Sequence, residues 1–368
     1  MIKCKLRDQL LTQPPAQMLG AGGSGVLLGA LGYLELNVQG YPFPGWSTAE
    51  DRHALAEHLL PVVRGLSPYR WMIDAEMAEL SREEKLLLLE RRQISGAMAA
   101  RGDGVHVLIN DTQDTECYIN DEEHLLIKTF FPGEQGTDAA YASMTKLLAE
   151  VESKLDVARS DIFGYMMSDP TKSGSPIFFS MLVHLPGLRI TKFIPQVRHA
   201  LDEMGFLLEP FYSPLDATTH DPSDLYLMHS PVVMASRLDA MQKDMNDVAA
   251  HLCEQELKAR NSLVDSPKEA VHVIKNTLQS VKALTEPKTL KYNQMLSALS
   301  MLRFGLSTGL LHTGFNAEEA AARLGRAYAE TAPAHLAYLC DLSTQRARRK
   351  ARASYTQQLT KEILKSID

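Results

Sequence analysis

Long hydrophobic runs are missing from this 368-residue sequence. No stretch reaches the roughly 18 apolar residues of a membrane-spanning helix. The opening MIKCKLRDQLL breaks its apolar positions with charges and makes a poor secretory signal. Cysteine is scarce: Cys4, Cys117, Cys253 and Cys340 lie far apart with no C-x-x-C. That argues against a disulfide framework or a cysteine metal site, and for reduced thiols in a cytoplasmic protein. An excess of positive charge is absent too. The net charge of −7 offers no general attraction to nucleic acid or acidic membranes. What remains is ordinary for a globular chain, 45% hydrophobic and 23% charged. Its length suffices for one large domain and a smaller one.

Residues 1–19 read as a short helix ending at Pro14-Pro15. The following Gly20-Ala-Gly22-Gly23-Ser-Gly25 formally matches G-x-G-x-x-G. That motif binds a dinucleotide only when a strand precedes it and a helix N-terminus follows. Here prolines precede and the strand-like VLLGALGYLELNV follows, so the stretch reads as a connector.

Two helices are marked by their caps. Thr48 to Leu66 has apolar positions Leu55, Leu59, Val62 and Val63 behind Ser47 or Thr48. A second helix runs from about Arg82 to Arg92 behind Ser81, with Glu84 three residues on. Val105 to Asn110 and Glu116 to Asn120 read as antiparallel strands joined by the polar turn Asp111 to Thr115. Ala139 to Leu155 and residues 190–204 read as helices, and Arg237 to Leu263 as a long one. Ser266-Pro267 then opens a helical remainder in which Leu296, Leu299, Leu302, Leu306 and Leu310 recur at helical spacing.

The chain is organised around Phe163 to Leu188, FGYMMSDPTKSGSPIFFSMLVHLPGL. This is a Pro/Gly-punctuated loop, Asp169 to Pro176, then an apolar strand from Ile177 to His184 that stops at Pro186. Upstream, Asn37 precedes Gly40-Tyr-Pro-Phe-Pro44, Glu90 to Ser95 reads ERRQIS, and Asn120 to Ile127 reads NDEEHLLI. Adjacent carboxylates such as Asp121, Glu122 and Glu123 raise one another's pKa and can take a proton from a guanidinium, though such a run is commonly a solvated turn. In this order and spacing the blocks resemble the ATP:guanido phosphotransferases, the family of creatine, arginine and bacterial protein-arginine kinases. That family writes G-Y-L-T-x-C-P-T-N-x-G-T-G-x-R-A-S-x-x-x-H-L-P-x-L around the loop. Gly164, Tyr165, Pro170, Thr171, Gly174, Ser180, His184, Leu185, Pro186 and Leu188 keep its frame. Leu296 to Gly309 and Ala332-Pro-Ala-His-Leu336 resemble segments particular to the bacterial protein-arginine kinases.

The resemblance implies an α+β fold with a large antiparallel sheet flanked by helices, of the guanido kinase or glutamine synthetase-like kind. It implies an N-terminal segment at 1–25, a catalytic-type domain at 26–260 and an all-helical C-terminal domain at 261–368 that pairs subunits. It also implies a site. Glu122 falls on the catalytic base and Asp169 on the reactive cysteine. Leu31, Tyr33, Leu126, Phe178 and Glu209 fall where the family grips nucleotide phosphates with arginine, whose forked guanidinium suits phosphate oxygens. The scaffold is present and the cationic clamp is not. In the last helix Arg348 and Arg352 are kept, and Arg349 replaces an aspartate, in a segment that in the family helps form a phosphoarginine-binding site. A basic run of this kind is otherwise a solvated face.

Phosphoryl transfer rests on cationic stabilisation of the phosphate oxygens, and a well-placed arginine contributes on the order of 10³–10⁵ in rate. Three readings follow. A non-catalytic relative, a pseudokinase, would serve as a binding or regulatory subunit in protein-arginine phosphorylation and protein quality control. It would form a homodimer or a heteromer with an active relative, and its partners would include a zinc-binding McsA-type activator or arginine-phosphorylated proteins. A working protein-arginine kinase would move a phosphoryl group from ATP-Mg²⁺ to a guanidinium with Glu122 as base, Lys128 or Lys172 restoring part of the lost charge. The third is an enzyme for an unrelated small guanidino substrate. The first is expected, with no metal, nucleic acid or membrane involved, and with ATP and Mg²⁺ only if the protein is active.

Overall fold

The computed structural model describes residues 10, 14–19, 25–212 and 222–364. Cys4, the glycine run before Gly25, most of the expected first helix and most of the loop from Ser213 to Asp224 lie outside the described residues. The strands are β1 (Leu27–Leu36), β2 (Trp71–Glu76), β3 (His106–Asn110), β4 (Thr115–Ile119), β5 (Leu125–Pro132), β6 (Arg159–Ser160), β7 (Gly164–Tyr165), β8 (Ile177–His184), β9 (Leu207–Pro210) and β10 (Leu225–His229). The helices are α1 (Ala16–Leu19), α2 (Ala49–Arg64), α3 (Arg82–Glu90), α4 (Gly96–Ala100), α5 (Gly136–Glu152), α6 (Pro186–Ile190), α7 (Ile194–Glu203), α8 (Leu238–Asp265), α9 (Pro267–Thr285), α10 (Tyr292–Ser307), α11 (Ala317–Glu330) and α12 (Gln345–Leu364).

Eight strands form one antiparallel sheet in the order β2-β3-β4-β5-β1-β8-β10-β9, while β6 and β7 make a small ribbon. The expected large antiparallel sheet flanked by helices is therefore present, followed by a wholly helical C-terminal part. The caps act as their side chains dictate. Thr48 and Asp51 close a capping box on α2, and Ser81 and Glu84 close one on α3. Residues 190–204 are not one helix: Lys192 takes a positive φ of 64° and separates α6 from α7.

Strand alternation divides β1 between two cores. Ala30, Leu34 and Leu36 join Met144 and Leu147 of α5, Leu55 and Leu59 of α2, and Met241 and Met245 of α8. Gly32 lies on this side, where a Cβ would meet the Met144 side chain at 2.7 Å. Leu28 and Leu31 point the other way, and with Leu182 and Leu227 they pack against Leu296, Leu299 and Leu302 of α10. The leucine stripe of the domain expected to pair subunits does not itself face a second subunit: its first three members are 0–2% exposed inside their own chain, because the opposite sheet face supplies the apolar cover. The exposed apolar row of the helical part is Val271, Ile274 and Leu278 on α9.

Polar locks hold the helical part to the sheet. His184, buried at the end of β8, is 3.0 Å from Ser300 Oγ, and Ser300 donates to Asp224 at 2.6 Å. Arg189 pairs with the same aspartate. Arg260 of α8 donates to the His184 carbonyl at 2.9 Å and to Glu256 at 2.7 Å. Burial and the facing Arg260 push the His184 imidazole well below its usual value, so it stays neutral.

Candidate active site

Three separate segments meet at one asparagine. Asn37, just past β1, donates to Glu123 Oε2 at 2.5 Å and to the Met166 carbonyl at 3.0 Å. Its oxygen accepts the His124 amide at 3.0 Å. His124 Nδ1 accepts the Val38 amide at 3.0 Å, so Nε2 carries the proton and donates to the Pro42 carbonyl at 2.9 Å. Burial lowers the pKa of this imidazole, consistent with a neutral ring. Glu123 also accepts the amide and the hydroxyl of Ser168, at 2.9 and 2.7 Å. Asn37, the Gly-Tyr-Pro-Phe-Pro loop, the β4–β5 turn and the loop before β8 are thereby one unit, an acidic cup.

Glu122 lies at the mouth of the cup, exposed, with Lys172 Nζ 3.2 Å from its carboxylate. Asp169 is exposed and turned to its own loop, accepting the Thr171 amide at 2.9 Å and hydroxyl at 2.7 Å. Those bonds hold its carboxyl below the usual value. Asp121 sits 3.8 Å from Arg101. The cup contains one more acid that the motifs did not point to. Glu35, 8% exposed, is pushed up to about 7 by burial and by the charge of Glu123. Its one sequence signal is an acidic residue in an otherwise apolar strand, LLGALGYLEL.

The five positions expected to match phosphate-gripping arginines lie on one face of the sheet, spread from β5 to β9. Leu31 and Tyr33 share a side of β1, Phe178 lies opposite Tyr33, Leu126 opposite Glu35, and Glu209 opposite Leu227. Tyr33 and Phe178 stack with centroids 4.4 Å apart and planes 6° from parallel. Burial pushes the Tyr33 phenol up to about 12. Leu31 is 2% and Leu126 9% exposed, each inside an apolar cluster. Leu10 packs in the cluster that holds Leu126, and Gln17 of α1 donates to the Arg91 and Arg92 carbonyls. Glu209 is exposed, 3.6 Å from His229, whose other ring nitrogen is 2.6 Å from Ser180 Oγ.

The basic groups of this region are engaged by the protein itself. Lys128 is 3.3 Å from Glu116 and donates to the Arg92 carbonyl at 2.9 Å. Arg92, which the motifs did not single out, donates to the Phe211 carbonyl and lies 4.4 Å over its ring. The phosphoarginine candidates divide. Arg352 is 3% exposed and donates to the carbonyls of Thr331 and Leu290 at 2.9 and 3.0 Å, so at this position the basic run is not a solvated face. A guanidinium about two turns in from the helix start reaches those carbonyls because α11 and the α9–α10 connection pack beside it. Arg348 donates to the Leu342 and Ser343 carbonyls, and Arg349 is half-buried.

The family profile described as ATP:guanido phosphotransferase, C-terminal catalytic domain, matches residues 72–259, from β2 to the long helix α8. The chain belongs to that family. The protein-arginine kinase of Halothermothrix orenii is 26% identical over 278 residues, which cover 76% of this chain and 78% of the relative. That of Caldanaerobacter subterraneus subsp. tengcongensis is 24% identical over 305 residues, covering 82% and 87%. Among solved structures, the duplicated taurocyamine kinase of Schistosoma mansoni with bound transition state analog components superposes with a TM-score of 0.55 at 16% identity. The match covers 72% of this chain and 39% of that one, so the fold is shared with less than half of the duplicated enzyme. Among the described residues, no helix is long and apolar enough to cross a membrane.

Proposed function

We propose that this member of the family binds and does not phosphorylate: a regulatory subunit of protein-arginine phosphorylation that engages a basic side chain of a partner protein through the acidic cup. The observation that carries this reading is the sheet face around Tyr33 and Phe178. A triphosphate needs several fixed cations close to its oxygens. Leu31, Tyr33, Leu126 and Phe178 present carbon and one phenol there, Glu209 presents negative charge, and Lys128 is paired with Glu116. These residues do not fit ATP-Mg²⁺.

The cup is a different matter. Asn37, Glu123, His124 and Ser168 are bonded as a rigid unit, and Glu122 remains at its mouth. Carboxylates so held suit a guanidinium or ammonium group. That same feature favours the second reading, an active ATP-dependent protein-arginine kinase with Glu122 as base, in line with the printed names of the relatives. Subunit pairing through residues 261–368, with a second copy or an active relative, belongs to this proposal, and the exposed row Val271, Ile274 and Leu278 is the surface for it. Partners remain those of the family chemistry: an active kinase, a zinc-binding activator of the McsA type, or arginine-phosphorylated proteins, the last with Arg348 and Arg349 as phosphate contacts. Incubation with radiolabelled ATP-Mg²⁺ and an arginine-rich protein separates the two readings. The proposal expects no acid-labile phosphate on the protein substrate, and transfer that disappears in Glu122→Ala would establish the kinase.

A further inference from the structure

The four acids of the cup are unequally served. Glu123 takes the hydrogen bonds of Asn37 and Ser168, and Asp121 has Arg101 beside it. Glu35 is 8% exposed, and among the described residues no group hydrogen-bonds its carboxylate. The charged groups within electrostatic reach of it are Glu123, Glu122 and Asp121 from the β4–β5 turn and Lys172 from the loop. Lys172 is the cation in that set, and its ammonium lies 3.2 Å from Glu122. The loop that carries it is fastened behind the lysine, where Gly174 donates to the Tyr165 carbonyl at 3.1 Å and the Gly174 carbonyl would lie 2.7 Å from any Cβ at Gly164. Its tip, from Ser168 to Lys172, is exposed. A buried carboxylate with no hydrogen bond costs free energy unless a cation stands close. The ammonium of Lys172 is the cation the chain itself supplies there.

We propose that Lys172 is a built-in occupant of the cup, its ammonium shared by Glu122 and the buried Glu35, and that a basic side chain from a partner enters only by displacing it. This rests on the reading above that the cup binds such a side chain. It adds a self-blocked resting state, and it assigns Glu35 as the positioning residue that keeps the lysine in place.

Lys172 is 46% exposed, so an amine reagent reaches it and its acetylation can be followed by mass spectrometry against the exposed Lys243. Without ligand, Glu35→Gln and Glu122→Gln are each expected to speed acetylation of Lys172 several-fold and leave Lys243 unchanged. Unchanged Lys172 rates in both variants overturn the occupant role. With arginine amide as probe, acetylation of Lys172 in the parent is expected to rise as the probe binds. Lys172→Met is expected to bind the probe about tenfold more tightly, since the competent state no longer competes with an internal ligand. Equal affinity in parent and Lys172→Met, with no change in acetylation, overturns the displacement and leaves the cup reading standing. No binding of arginine amide by either protein overturns both.

Discussion

Tyr33 on β1 and Phe178 on β8 are direct cross-strand partners and stack face to face, 4.4 Å between centroids. The sequence resemblance sets both where a phosphate-binding arginine is expected. Two guanidinium groups side by side repel until an anion arrives; two rings attract without one, by about 0.5–1.5 kcal/mol beyond their buried area. The exchange therefore removes a reason for the face to seek phosphate and gives it a reason to stay closed.

Restoring one arginine should damage the fold before it restores binding. Tyr33→Arg places a charge beside Phe178 with Lys128 and Arg92 nearby, and should cost about 3–5 kcal/mol in urea unfolding. Tyr33→Phe keeps the ring stacked on Phe178 and should cost about 1 kcal/mol or less. Equal stability of the arginine variant and the parent would show that the face is open.

Glu35 makes stability depend on pH. Its folded value of about 7 lies above its ordinary value of 4.5, so the folded state holds the proton more tightly than the unfolded chain. Its favourable contribution is complete below about pH 4.5 and is lost as pH rises through 7, amounting to about 3 kcal/mol. Glu35→Gln should be more stable than the parent at pH 8 and equal to it near pH 4. A parent and a variant whose urea midpoints run parallel across that range would contradict the assignment.

Asn37 is the joint of the cup. Asn37→Ala removes one of the donors to the Glu123 carboxylate, which keeps those of Ser168, and strands the His124 amide, and should cost about 2–3 kcal/mol. Asn37→Asp should be worse, because it sets a second carboxylate against Glu123. Thermal unfolding of the three proteins at one pH tests the ranking.

Association and folding should separate within the helical part. Leu299→Ala opens a cavity in the core shared with the sheet and should cost about 2–5 kcal/mol with little effect on subunit number. Val271→Glu with Ile274→Glu should leave the fold intact and yield a monomer by light scattering. A parent that is monomeric, alone and with a co-expressed relative, removes the pairing proposal.

The sequence carried the cup more plainly than the face above it. Asn37, Glu123 and His124 stand in short blocks whose spacing already tied them together, and Thr48 and Ser81 marked their helices through local capping chemistry. Glu35 was hidden because one acid in an apolar strand does not reveal which way its neighbours leave it facing. The burial of Leu296, Leu299 and Leu302 was hidden for a related reason: an apolar stripe fits the chain's own sheet as well as a second subunit. Arg352 looked like part of a solvated cluster, since no pattern announces that backbone carbonyls will meet a guanidinium.

The central claim is that the sheet face no longer receives a nucleotide. Isothermal titration of the full chain with ATP-Mg²⁺ tests it most directly. Heats no larger than dilution are expected up to millimolar nucleotide. Saturable binding at one site per chain, strengthened by Glu209→Arg, would contradict it.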